Sequence, residues 1–514
     1  MNINKKIKSN LDLIYKKINY NTKKKTYYKG CLDKNFVNKK KNFSSPPFQY
    51  ISVNYFYFSK SLNKSIKKRI KDEIIFLLRL QNKDGSYDEW YKNERSFCTS
   101  SYSSFLISNM LLNNNEIDKK FKDDIENSLE KSFYYLKDKF NENILNQNLA
   151  KLIFLQNYIK IVKNRKKSVQ DELTSHLNKV HKFVLNSYEH EYKGVDLGYL
   201  SVSLMLSAEI LKKNNSIKSK EIFLRLFYIA KNLTSDFNYF PNYIFSRSSR
   251  VFLISGFYFA LKQNLININK FKNIYSFYIK NFEIFYKIKN LRYLSFFYST
   301  DISLLLLNKS KKIFKKKNTK NNSEIISDYL FFKNENKNLF IYKKNPNLIA
   351  FLINGKIKIH LCDTLVFNNN KYVSTILENI HYSKNKIFTK QKFSKITNLK
   401  KIAFRYLIVI SMFSKIRIFN NFINGLAKYL LITRRKILKN FKKYRTVIIK
   451  KNKILIKEII ISNKTNYLTT SSDEVHYFSP TSFLLKNEIM KIKKISVNRF
   501  YKMNKKITSK IYEY

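Results

Sequence analysis

Three short segments hold the residue types that carry chemistry, and each contains glycine in a chain with only 7 of them. The first, LLRLQNKDGSYDEWYKNERSF, starts at Leu77. Gln81 is followed at +4 by Gly85 and at +6 by Tyr87, a spacing that suits a tight junction between two helices. The glutamine ends a helix by bonding free backbone groups, the glycine permits a positive φ, and the aromatic ring stacks under the next helix. Glu89 and Glu94 then stand at a cavity mouth as substrate-binding candidates, with Ser96 an N-cap. The same residues also satisfy a purely architectural role, that of locking the junction.

The second segment, YEHEYKGVDLGY, ends at Tyr199. Asp196 is the expected N-cap of the helix that carries Tyr199. His190, Tyr192 and Tyr199 then lie near a helix N-terminus, whose partial positive charge favours anions and lowers a phenol pKa. That is the setting in which a Tyr or His serves as a base. The third segment, FSRSSRVFLISGF, places Arg247 and Arg250 three apart at an expected helix start, so both guanidinium groups project from one face. Two planar donor forks suit a carboxylate or a sulfate. Bridging to acidic groups of neighbouring helices is the competing use.

The elements that must position these residues follow from pattern and composition. The chain has 514 residues, 44% of them hydrophobic, which is enough to bury a sizeable core and too many for a disordered polymer. Its 3 Cys are far apart in sequence, so neither a disulfide framework nor a CxxC metal site is available. No apolar run reaches the roughly 18 residues of a membrane span, and no apolar stretch follows the first ten residues; the expectation is a cytoplasmic protein, with periplasmic action also compatible. A net charge of +63 ordinarily points to nucleic acid. Here most of the 99 basic residues are Lys, scattered among equally abundant Asn, Ile, Tyr and Phe. That is the signature of A/T-rich codons, and no nucleic-acid motif accompanies it, so no specific nucleic-acid partner is expected. Gly, Arg, Trp and His persist against that bias and are informative for that reason.

Residues 1–50 read as a loosely ordered basic extension, closed off by the turn SSPPF. Residues 51–308 read as helices, at 66–81, 96–112, 122–139, 147–163, 169–186, 197–213, 217–233 and 247–262. A Lys/Asn run at 309–324 reads as a linker. Residues 325–514 read as strands in an antiparallel β-sandwich, with NLFIYKK, NLIAFLINGKIKIHL, KYVSTIL, RTVIIKKNKILIKEIII and EVHYF as its clearest members and one helix at 416–431.

Taken in order, QNKDGSYDEWYKNERSF, EYKGVDLGYLSVSL, SRSSR followed by GF, NLIAFLINGKIKIH, RTVIIKKNKILIKEIII and HYFSPTSF resemble the heparinase II/III-like proteins of bacterial surface-polysaccharide clusters. The resemblance implies an N-terminal α/α toroid, an incomplete helical barrel, followed by a β-sandwich. It also implies a lyase that cleaves uronate polymers by β-elimination. In that chemistry a Tyr or His removes the C5 proton while a cationic or polar group neutralises the adjacent carboxylate. The residue types that this chemistry needs are present in Tyr192, His190 and Tyr199 for catalysis and in Arg247 and Arg250 for binding an acidic polysaccharide or oligosaccharide, with Glu89, Glu94 and Asp196 as further binding candidates from their positions in the segments above. The sequence departs from the family in showing no paired Asn-His motif on an inner helix, and in showing no His/Asp/Cys set in the β half like the metal site of some relatives; His360 and Asp363 are close but make no motif, so neither metal nor other cofactor is expected. Two other functions stay open. One is a noncatalytic glycan-binding or assembly protein on the same scaffold. The other is a terpene cyclase or prenyltransferase toroid, prompted by Gln81, Gly85 and Tyr87 but lacking a DxDD motif, a zinc set and a reason for the β-rich half.

Overall fold

The computed structural model describes residues 3–17, 29–33, 44–56, 63–114, 117–162, 164–186, 196–235, 251–287, 290–307 and 313–314, together with twelve strands between 329 and 513. The chain divides into two compact units. One comprises Met1–Thr234, Arg250–Thr319 and Tyr406–Asn424, the other Ser235–Ser249, Lys320–Arg405 and Gly425–Tyr514.

The first unit alternates helices with one apolar stripe and helices buried nearly all round. The striped helices include α1 (Ile3–Lys17), α3 (Lys64–Arg79), α5 (Lys119–Leu136), α7 (Lys166–Asn186) and α11 (Ile268–Lys287). In α5 the buried Phe121, Ile125, Ser128, Leu129, Ser132 and Leu136 form the stripe. Spacings of three and four put them on one face, which packs inward. The wholly buried class includes α4 (Phe97–Asn113), α6 (Leu145–Ile161) and α8 (Leu197–Lys213). In α4 every residue from Thr99 to Met110 is buried. Its Ser100, Ser101, Ser103 and Ser104 are small enough for close approach on both sides, and the hydroxyls of Ser100 and Ser104 bond back to carbonyls one turn earlier.

The buried class closes on itself. With α2 (Tyr50–Phe56), α10 (Ser255–Lys262) and α13 (Ser299–Leu306), it makes a ring. In it α2 packs on α4, α4 on α6, α6 on α8, α8 on α10, α10 on α13, and α13 on α2. Among the described residues the ring is thus closed where an incomplete barrel was expected, and α1 packs beside it. Leu11, Ile14 and Tyr15, at helical spacing, are buried, and α1 packs against α13 and α2. Much of the expected loose extension is thus structure: three apolar side chains on one face suffice to dock it, even in a Lys/Asn-rich stretch.

Most other expected helices lie within a few residues of their observed bounds. The exception is 247–262, where residues 251–254 are not helical and α10 begins at Ser255. The buried Asp301 carboxylate accepts the amide hydrogens of Ile254 (3.0 Å) and Ser255 (2.9 Å), which fixes the start of α10 there. Gly256 follows because α10 crosses α8 closely: a Cβ there would stand 2.8 Å from the backbone carbon of Leu204.

In a ring wound alternately from outer to inner helices, the described outer-to-inner connections lie at the same end, while 187–195 and 236–250 lie outside the described residues. Residues 80–96 join α3 to α4, and residues 187–196 join α7 to α8. Residues 236–254 join α9 (Ile217–Ser235) to α10. These are the connections that contain the chemistry-bearing segments.

The second unit is antiparallel at every described pairing. A four-stranded sheet runs in the order β1 (Tyr329–Asn334), β2 (Lys337–Tyr342), β3 (Ile349–Ile353), β4 (Lys356–His360). An eight-stranded sheet is centred on β6 (Asn370–Ser383), β7 (Lys386–Lys395), β8 (Ile437–Ile449) and β9 (Ile454–Ser462). Ile456, Glu458 and Ile460 of β9 are buried while Lys457 and Ile461 are exposed, the period of two expected of a strand with one covered face. Glu458 pairs with Arg445 (2.6 Å) and Lys443 (2.9 Å) of β8, a buried cluster that fixes the register of the two strands. The expected helix at 416–431 and the strand EVHYF lie outside the described residues.

Candidate functional site

The connection from α3 to α4 is fixed in detail by its own sequence. The Gln81 amide donates to the carbonyls of Gly85 (3.1 Å) and Ser128 (2.9 Å) and to the Ser132 hydroxyl (2.9 Å). Gly85 lies at φ +87, with α5 backbone where a Cβ would stand. Tyr87 is fully buried and pairs antiparallel with both Gln81 and Ser96. The expected junction is present, and it clamps the loop onto α5. Ser96 caps α4 by accepting from the Thr99 amide (3.3 Å).

Within the clamped loop the acidic groups divide their roles. The buried Asp88 accepts from the backbone amides of Asn93 and Arg95 and from Asn82. Asn93 and Arg95 both have positive φ, so the Asp88 carboxylate holds a turn the backbone does not favour. Glu94 accepts from the amides of Glu89 (2.7 Å) and Trp90 (2.6 Å). Enclosure by protein and, next, the Glu89 charge push the Glu94 carboxyl up to about 8, so it is mainly neutral at pH 7. Glu89 remains free to face another partner.

That partner is Arg292, on the three-residue helix α12 (Leu291–Tyr293), which Asn290 caps. Its Nη2 lies 2.5 Å from Glu89 Oε1, and its guanidinium sits 4.1 Å from the centroid of the Trp90 ring. Burial is the largest single influence and works against the charge of Arg292, but Glu89, by charge and hydrogen bond, together with Tyr293 and Cys98 leaves its pKa raised overall. The Glu89 side chain also accepts from Ser96 (3.2 Å), and its carbonyl accepts from Ser45 (3.0 Å). A π-helical stretch, Leu294–Tyr298, follows α12. Such a widened turn re-aims side chains relative to a regular helix.

Tyr199 reaches the same stretch from the other side. Asp196 caps α8 as expected, accepting the Tyr199 amide at 3.0 Å. The Tyr199 ring meets Phe297 edge-on at 6.1 Å, and Phe297 also packs against Tyr293, Phe296 and Tyr102. Glu89 and Tyr199, from connections over a hundred residues apart in sequence, thus both rest on residues 292–297. Tyr199 is only 8% exposed, so it forms inner wall. His190, Tyr192, Arg247 and Arg250 lie outside the described residues.

Arg292 and Trp90 are the members that the sequence reading did not assign to the site. Arg292 had the same signal as Arg247 and Arg250, an arginine in a Lys-dominated chain, but it lacked a neighbouring glycine or second arginine. Burial raises the phenols of Tyr50, Tyr87, Tyr278 and Tyr298 well above their ordinary value, which makes these four unsuited to act as a base. Among the described residues no group of three or more His, Cys, Asp or Glu is placed to hold a metal ion. No described helix is long and apolar enough to cross a membrane. A separate open cavity of about 550 Å³ lies along α7, lined by Lys137, Arg165, Lys167, Asp171 and Glu172 among others, and it holds none of the expected residues.

Comparison with protein-family models and with curated proteins returns no match. Among solved structures, the chain is similar to a mutant of the heparan sulfate lyase HepC from Pedobacter heparinus, at 9% identity over 91% of this chain and 88% of that one, with a TM-score of 0.26. At that level the likeness carries no argument about activity, so the functional reading rests on the residues themselves.

Proposed function

We propose that this is a polysaccharide-active protein of heparinase II/III-like architecture, with its site at the end of the toroid where outer helices lead into inner ones. The observation that supports this most directly is the meeting of Glu89, Trp90, Tyr199 and Arg292 on one short stretch of chain at that end. His190 and Tyr192, and the arginine pair Arg247 and Arg250, are taken as further members of the site from their residue types and sequence setting alone. In this reading residues 51–308 are the toroid, 309–324 the linker, and the two antiparallel sheets of 325–514 form a β-sandwich.

As a lyase, the protein would use Tyr192 or His190 to take the C5 proton of a uronate. Arg247 and Arg250 would neutralise the neighbouring carboxylate, and Glu89, Glu94 and Asp196 would fix the chain. A Tyr base must lose its proton near neutral pH against an ordinary pKa of about 10, which requires positive potential close by. The two arginines supply that potential. The burial of Tyr199 favours a supporting role for that residue, so Tyr192 carries the test. Tyr192→Phe removes one hydroxyl and keeps the ring. It should abolish formation of the 4,5-unsaturated uronate, followed by its ultraviolet absorbance, while melting temperature and glycan binding stay near wild type. If wild type binds glycan but forms no unsaturated product from any of a panel of uronate polymers, the noncatalytic binding role replaces the lyase role.

A further inference from the structure

The start of α10 is held by two other inner helices rather than by its own sequence. Its N-cap residue is Ile254, which has no side-chain acceptor to offer the free amides of the first turn. The amides of Ile254 and Ser255 donate instead to the two carboxylate oxygens of Asp301 on α13, a residue with no solvent exposure. The preceding amide, that of Leu253, donates to the Ser201 hydroxyl of α8 at 2.9 Å. Ser201 in turn donates to the Gly198 carbonyl at 2.6 Å, in the turn that Asp196 caps and that carries Tyr199. Three consecutive backbone amides are thus fixed to α8 and α13, and both the donor and an acceptor position of the Ser201 hydroxyl are in use.

Helix formation does not require this arrangement. A Ser or Asn at position 254 would cap α10 locally, without the cost of taking a carboxylate out of water. Ser207, six residues further along α8, shows what a buried serine of this helix does when it only packs. Its hydroxyl bonds back to the Leu204 carbonyl at 2.9 Å, and among the described residues it accepts no amide from another helix. What Ser201 and Asp301 add is a fixed relation between two connections. Val251–Ile254 are buried and Arg250 directly precedes them, while the far end of the same chain of hydrogen bonds is the turn of Tyr199. We propose that Ser201 and Asp301 are positioning residues that set the end of the connection carrying Arg247 and Arg250 against the first turn of α8. This rests on the site proposed above and adds to it the two side chains that hold its members in register. Neither residue touches the ligand; each acts through the backbone it holds.

The deciding variant is Ser201→Ala, which removes one hydroxyl and leaves the Leu253 amide buried without its acceptor. Ser207→Ala is the matched control. Asp301→Asn keeps the shape of the side chain but exchanges one acceptor oxygen for a donor, which cuts the second tie. Full-length wild type and variants are compared by hydrogen–deuterium exchange and by turnover of a uronate polymer, or by calorimetric affinity for an acidic oligosaccharide if the wild type binds without turnover. Ser201→Ala should speed exchange in the peptide covering Val251–Gly256 and lower kcat per folded molecule about tenfold to a hundredfold with KM near wild type; in the binding-only case the same fall is read in affinity. Asp301→Asn should act in the same direction, and Ser207→Ala should change neither readout. Unchanged exchange in Ser201→Ala overturns the tie. Faster exchange with kcat and affinity at wild-type values makes both residues purely architectural and overturns the positioning role. Either result leaves the glycan reading standing, whereas a wild type that neither binds nor turns over any uronate glycan defeats that reading and the positioning role with it.

Discussion

Replacing Gly85 with alanine tests how the loop carrying Glu89, Trp90 and Glu94 is held. The added Cβ would meet the Lys131 carbonyl oxygen at 2.0 Å and its carbon at 2.3 Å, with φ at +87. The obstructing atoms are helix backbone, so no side chain can swing aside. A left-handed conformation costs an L-residue about 1–2 kcal/mol, and forcing a methyl group into packed structure costs about 1–3 kcal/mol. The loop must also draw back from α5, which stretches the hydrogen bonds from Gln81 to Ser128 and Ser132, each worth about 1 kcal/mol. The total is roughly 4–7 kcal/mol, or a fall in melting temperature of about 10–20 °C for a unit of this size. Thermal unfolding followed by circular dichroism measures it, and Trp90 emission below the transition reports whether the loop has moved. A melting temperature within about 2 °C of wild type, with unchanged emission, would refute the clamp.

Gln81→Ala should act at the same joint more mildly, at about 1–3 kcal/mol in chemical denaturation, and should combine with Gly85→Ala less than additively because both release one contact surface. Lys151→Met leaves the buried Glu172 without the ammonium 2.6 Å away, so a loss of about 3–5 kcal/mol is expected; a stability change near zero would show the pair is dispensable. The pH dependence has a definite sign. Glu94 is pushed up to about 8, Glu73 to about 7 and Asp301 to about 6, all chiefly by burial, so each holds its proton more tightly folded than unfolded. Their contribution is complete below the unfolded carboxylate pKa of about 4 and is lost as pH rises through the folded values. His176 is pushed down to about 3 by burial, and it removes stability as pH falls below about 6.5. Because three carboxyls oppose one imidazole, the net contribution of these groups should fall as pH rises above about 4, and Glu94→Gln should flatten the decline in melting temperature toward pH 8. Arg247→Lys with Arg250→Lys keeps the net charge and loses the planar forks, so affinity for an acidic oligosaccharide should fall tenfold to a hundredfold, about 1.5–3 kcal/mol, in calorimetry on a folded double mutant.

The inner and outer helices were legible because burial writes itself into the sequence at helical period. The stripe of α5 is visible as Phe121, Ile125 and Leu129, and Asp196 and Ser96 announce the caps of α8 and α4. The junction at Gln81 and Gly85 was legible because its core chemistry is local: Gln81, Gly85 and Tyr87 lie within six residues, although Ser96 and the Ser128 and Ser132 groups of α5 complete it. Long-range partners were not. Nothing near Arg292 says that Glu89, 203 positions earlier, will face it, and nothing near Asp301 says that it will fix the start of α10. The docking of α1 was hidden by composition, since Leu11, Ile14 and Tyr15 stand among lysines and asparagines whose polarity outweighs three apolar side chains in any window average. In the second unit, alternation marked β9, whereas the buried pairing of Glu458 with Lys443 and Arg445 breaks the rule that charged residues face outward and depends on a register that sequence does not display.

The account depends most on the site at the end of the ring being a glycan site, and isothermal calorimetry of the full-length protein against an alternating uronate–hexosamine oligosaccharide tests that most directly. The predicted result is saturable binding that is weakened at least tenfold when Glu89→Gln and Arg292→Leu are introduced together in a variant that retains the wild-type circular dichroism spectrum. Binding of the same oligosaccharide at wild-type affinity by that folded double variant, or no binding by the wild type, would contradict it.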